Sequence, residues 1–141
     1  MKPIIKRLEK GVDLKKEILK LAKELKLTSG VMLGAVGSLS KATLRMPVID
    51  GHIVEKKWNE ELEIVSVTGN ITANGEHCHI HISFSDINGN CFGGHLQDGC
   101  ISKTTIELVI LTFEDLTFLT PIDPKTGFNE LVVKQLPKTN N

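Results

Sequence analysis

GEHCHIHISFSDINGNCFGGHLQDGC, residues 75–100, holds four of the chain's five histidines and all three of its cysteines. In an extended strand, successive side chains point to opposite faces. His77, His79 and His81 therefore share one face, while Cys78, Ile80 and Ile82 share the other. The apolar set marks the side that meets a core. His77, just after Gly75-Glu76, reads as a loop residue rather than a member of the strand.

The turn that follows decides where His95 lies. Asn88-Gly89 is a hairpin signal, and a three-residue loop usually ends with a glycine in the left-handed region. With Ile87-Asn88-Gly89 as that loop, Asp86 faces Asn90 and His81 faces His95. Directly opposed Cβ atoms are ~4.5–5.5 Å apart and share a face. His79, His81 and His95 would then form one compact cluster. A two-residue Asn-Gly turn would instead send His95 to the wrong face, and a bulge at Gly93-Gly94 would change the register again.

Three imidazoles with a water in the fourth position are an open zinc arrangement, with Zn–N ~2.0–2.1 Å. Zinc is the expected metal, and His79, His81 and His95 the expected ligands. The competing use of the same side chains is a polar cluster lining a cleft or an oligomer interface. Cys78 faces away from the histidines and Cys91 pairs with Ser85 along the hairpin, so the thiols read as buried and inert. Cys100 and His52 receive no role.

Upstream, PIIKRL (3–8) opens a strand that closes at Gly11. Asp13 suits a helix N-cap, and Leu14, Ile18, Leu21, Ala22 and Leu25 make a helical stripe. The spacing predicts one principal helix over about residues 13–27, ended by Thr28-Ser29-Gly30. Everything later reads as short strands and turns: 31–36, 42–46, 52–58, one from Leu62 to near Gly69-Asn70, 78–85, 91–96, 104–113, 116–119 and 128–134. The fold class is therefore α+β, a single domain with a largely antiparallel β-sheet. That domain spans residues 1–137, and residues 138–141 are expected to form a frayed tail.

Composition narrows function by exclusion. At 40% hydrophobic and 24% charged residues, the chain can bury a core without disulfides. Three cysteines without a CxxC spacing fit reduced thiols and a cytoplasmic location. No apolar run approaches the ~20 residues of a membrane span. Aromatic content of 4% leaves little for base stacking. Seventeen basic residues balance seventeen acidic ones, yet residues 1–26 hold nine basic and four acidic side chains. That helix face is either a solvated surface or a patch for an anionic partner.

TGNIT (68–72), HIHISFSD (79–86), Gly89, GGHLQDG (93–99) and TTIELVI (104–110) resemble the plant-and-prokaryote-conserved domain, abbreviated PPC or PCC. RLEKGVDL (7–14) and SGVMLGAVGSLSKATLR (29–45) extend the similarity over nearly the whole chain. The resemblance implies an α+β fold that associates as a homotrimer, with His79, His81 and His95 as a metal site. Prokaryotic members often carry a DNA-binding label. Plant members join the domain to AT-hooks, and this chain has no Arg-Gly-Arg-Pro element, so the DNA role does not travel with the fold.

Three functions follow. The first is a homotrimeric zinc-binding protein whose physiological ligand is unknown. The second is an enzyme performing metal-assisted hydrolysis or related Lewis-acid chemistry, with Glu107, flanked by apolar neighbours and expected to be partly buried, as the candidate base; a salt-bridged structural role is the competing use of Glu107. Asp86 and Asp98 are weaker candidates, since loop aspartates commonly serve turn geometry. The third is a DNA-associated regulator using the basic helix. The glycine-rich GAVGSLSKATLR (34–45) reads first as tight packing of strands; the alternative is a ligand site in which Arg45 clamps an anionic small molecule in the same cavity as the histidines.

Overall fold

The structure, a computed structural model, describes residues 1–137. The tail expected to fray lies outside the described residues. Strand β1 (Lys2–Leu8) leads into helix α1 (Leu14–Glu24), then β2 (Gly30–Arg45), β3 (Glu55–Trp58) and β4 (Leu62–Ile71). A 3-10 turn (Ala73–Gly75) precedes β5 (Cys78–Ser85), β6 (Cys91–Leu96) and β7 (Ile101–Thr112). A small hairpin, β8 (Leu116–Leu119) with β9 (Val132–Gln135), ends the described chain. The architecture is one domain, a mostly antiparallel sheet with one helix.

Helix α1 begins where the sequence places it: the Asp13 carboxylate accepts the Lys16 N–H at 3.1 Å. It ends earlier than the apolar stripe predicts. Lys26 takes φ +50°, and the Leu27 N–H reaches back to the Ala22 carbonyl at 2.9 Å, closing the helix as a Schellman turn. Leu25 is left half exposed and outside the buried stripe of Leu14, Ile18 and Ala22. Truncating Leu14 or Ile18, both fully buried, is expected to cost about 2–5 kcal/mol.

The two strands expected at 31–36 and 42–46 are one continuous strand of 16 residues, β2. Three register irregularities against β7, between Met32 and Lys41, bend it without breaking it. Its first part pairs with β4 and β7, and its last part with β3 and β6. Since β4 also pairs with β5, and β5 with β6, the path β2–β4–β5–β6 closes back on β2. Gly94 permits that closure, because a Cβ there would sit 3.0 Å from the Arg45 carbonyl oxygen and 2.7 Å from Met46 Cε.

Along β5 the expected alternation holds. Cys78, Ile80, Ile82 and Phe84 are buried in the core, while His79 and His81 face outward. Trp58 packs edge-on against Phe84 with ring centroids 5.0 Å apart. Strand β3 is shorter than the 52–58 expected, and the segment near Phe128 is a turn preceding β9 rather than part of a strand. Among the described residues, no helix is long and apolar enough to cross a membrane.

Candidate metal centre

The β5–β6 loop is built by Asp86. Its carboxylate accepts the backbone N–H groups of Asn88 and Asn90, each at 2.9 Å, and the Asn90 side-chain amide at 2.9 Å. These bonds hold the Asp86 carboxyl below the ordinary carboxylate range. Gly89 takes φ +79° to complete the three-residue turn. The register follows as expected, with Ser85 opposite Cys91 and His81 opposite His95. Asp86 is thus a turn residue by geometry.

The turn brings the three imidazoles together. Ring centroids of His79 and His81 are 5.1 Å apart, those of His79 and His95 5.1 Å, and those of His81 and His95 5.5 Å. One nitrogen from each ring lies within 4.8 Å of the others. His79 Nε2 and His81 Nε2 are 3.3 Å apart. Two nitrogens bound tetrahedrally at the usual Zn–N length are separated by about 3.3 Å. The same distance suits an N–H···N bond between neutral rings, so the spacing fits both an ion and its absence. His95 Nδ1 is buried with no hydrogen-bond partner among the described residues, and imidazole nitrogens are zinc donors. The donor set therefore fits zinc.

Burial and neighbouring positive charge favour the neutral, ligating form of His95 and His81. Burial first, then the Arg45 charge and the neighbouring histidines, pushes His95 down to about 4. Burial, His79 and Arg45 lower His81 as well. His77 lies just before β5 and is lowered by burial and by Lys15. It lines the cavity beside the cluster without joining the group of three.

Three features lay beyond the sequence. Asn70 stands opposite His79 on β4, and its Oδ1 is buried without a partner. Gly69, beside it, has φ +147°, and a Cβ there would run into the backbone of His79 and Ile80. Gly127 to Glu130 form one wall of a cavity of about 620 Å³ that also takes in Arg45, His79 and His95. The first two depend on the β4–β5 register and the last on how a distant segment docks, so no local pattern marks them.

Arg45 pairs directly with His95 across β2 and β6, placing both on one face as expected. Glu107 is exposed rather than partly buried. It sits between Arg7 and Val36 in the sheet and is no part of the histidine cavity. Its buried neighbours Ile106 and Leu108 occupy the opposite face of β7, which is why apolar flanks misled. Asp98 lies 3.6 Å from Lys15 and 3.9 Å from Lys16. Cys78 and Cys100 are buried, and burial pushes both thiols up to about 11. Cys91 is exposed rather than buried as expected, because it pairs with Ser85 beside the β5–β6 turn, at the tip of the hairpin.

The model of the Plants and Prokaryotes Conserved (PCC) domain matches residues 1–114. The chain belongs to the PCC domain family. A bifunctional protein GlmU of Synechococcus sp. (strain JA-2-3B'a(2-13)) is 40% identical over 129 residues, which is 91% of this PCC chain and 20% of that protein. The chain thus spans about a fifth of that relative's length. A metal-containing protein from Archaeoglobus fulgidus is 25% identical with TM-score 0.81, covering 94% of each chain. A candidate DNA-binding protein from Bacteroides thetaiotaomicron, 23% identical with TM-score 0.83, covers 92% of this chain and 91% of that one and shares the PCC fold.

Proposed function

We propose that this PCC-domain protein binds one zinc ion per chain through His79, His81 and His95 and acts in the cytoplasm as a homotrimer. The observation that carries the metal reading is the convergence of three imidazoles, His79 and His81 from one strand and His95 from the facing one, with a nitrogen of each within 4.8 Å of the others. The metal content named for the Archaeoglobus fulgidus protein supports it. Outward apolar side chains on β1, β2 and β4 (Ile5, Leu33, Val36 and Val65) support self-association, since large exposed apolar side chains gathered on one sheet favour burial against another surface. When bound, the ion would supply Lewis acidity and an activated water, the basis of a hydrolytic activity.

The DNA reading draws support from the label of the Bacteroides thetaiotaomicron neighbour, a likeness of fold. The α1 lysines argue against it. Lys15 and Lys16 lie against Asp98 and Lys20 against Glu17, so much of the patch is neutralised within the chain. None of the bifunctionality named for GlmU is assigned to this chain, which matches a fifth of it.

The test is zinc per chain in tag-free protein purified without chelator, beside the His79→Ala/His81→Ala variant. Near one zinc in the wild type and almost none in the variant is expected. Equal, negligible zinc in both would refute the metal reading. Sedimentation of the same samples tests the trimer, which a monomer at all concentrations would exclude.

A further inference from the structure

Arg45 is a cation that a three-histidine metal site does not explain. It stands across from His95 in the β2–β6 pairing and lines the same cavity. Among the described residues it has no ion-pair partner. Opposed strand residues have Cβ atoms ~4.5–5.5 Å apart, close enough for one small molecule to reach both the guanidinium and the histidine cluster. An arginine fork matches a carboxylate in a bidentate way, and three histidines leave an open metal position for an oxygen.

We propose that the cavity binds a small organic carboxylate with a second oxygen donor beside its carboxyl group. The carboxylate sits on Arg45 and the second oxygen faces the metal position. This deepens the zinc reading and rests on it. Size agrees, since about 620 Å³ suits a small ligand. Val48, Ile53 and Phe128 give an apolar wall for a short hydrocarbon part. Glu130 shares the cavity, held by the Thr126 hydroxyl at 2.9 Å, and its charge disfavours a dianion such as phosphate.

Calorimetric titration of the zinc-loaded protein with lactate, acetate and inorganic phosphate tests this, using wild type, Arg45→Met and Glu130→Gln. Zinc per chain is measured in the same samples. Lactate is expected to bind more tightly than acetate or phosphate. Arg45→Met weakens lactate by about tenfold or more while zinc stays bound. Glu130→Gln tightens it, a gain that a misfolded protein would not give. Unchanged lactate affinity in zinc-bound Arg45→Met, or phosphate ahead of lactate throughout, overturns the proposal and leaves the zinc site standing. A wild type without zinc overturns the site first and the carboxylate with it.

Discussion

Two concavities among the described residues are of similar size, and they differ in how their charges are satisfied. One, about 740 Å³, is lined by Lys15, Lys41, Lys57, Glu55 and Asp98 among others. There Lys15 and Lys16 face Asp98, and the Asp13 carboxylate accepts the Gly99 N–H at 2.6 Å. The other, about 620 Å³, is lined by His77, His79 and His95. Arg45 there has no ion pair among the described residues, and His95 Nδ1 and Asn70 Oδ1 are buried without partners at or beside it. An unmet buried polar atom costs about 1–3 kcal/mol, so a fold keeps such atoms where a ligand completes them. Ser102 Oγ is a third such atom and lines neither cavity, so the gathering of unmet groups at the histidines, not volume, marks the site.

The contrast is broken most severely at Gly69. Alanine there meets the His79 backbone in a backbone region that favours glycine, and a loss of about 3 kcal/mol or more is expected in denaturant unfolding. A wild-type midpoint would mean that β4 and β5 do not approach as described. Asn70→Ala comes next. If Asn70 orients His79, zinc affinity falls about 10–100-fold with little change in stability, as for other groups behind a ligand. Unchanged affinity in a chelator competition would remove Asn70 from the site.

Acid sharpens the comparison further. In metal-free protein, the unfolded chain takes up a proton at His95 near its ordinary value of 6.5, while the fold holds it off until about 4. Stability therefore falls as pH drops through that window. Thermal melts from pH 7 to 4 are expected to show a shallower decline in His95→Gln, and identical slopes would contradict the half-buried neutral ring. The smallest effect belongs to the lysine cleft. Asp98 is more than half exposed, and Asp98→Asn is expected to cost under ~1 kcal/mol, as exposed ion pairs do, with zinc content unchanged.

The hairpin was legible because every signal lay within it: a period of two, an apolar inner face, and Asp86 with Gly89 to set the turn. The largely antiparallel main sheet and the helix followed from the same kind of local pattern. Strand β2 was harder, since its small residues read as a break, while neighbours on both edges carry it through its bulges. The early stop of α1 depends on Lys26 adopting a conformation usually given to glycine. Arg45 was visible as a candidate, but its partnership with His95 rests on ring closure around Gly94. The wall from Gly127 to Glu130 had no local signature, because tertiary docking alone gives it a role.

The most direct test is anomalous diffraction at the zinc edge from crystals grown with one equivalent of zinc. One peak per chain, ~2.0–2.1 Å from a ring nitrogen of each of His79, His81 and His95, is the predicted result. No peak there, or zinc instead at Cys91 or in the lysine cleft, would contradict it.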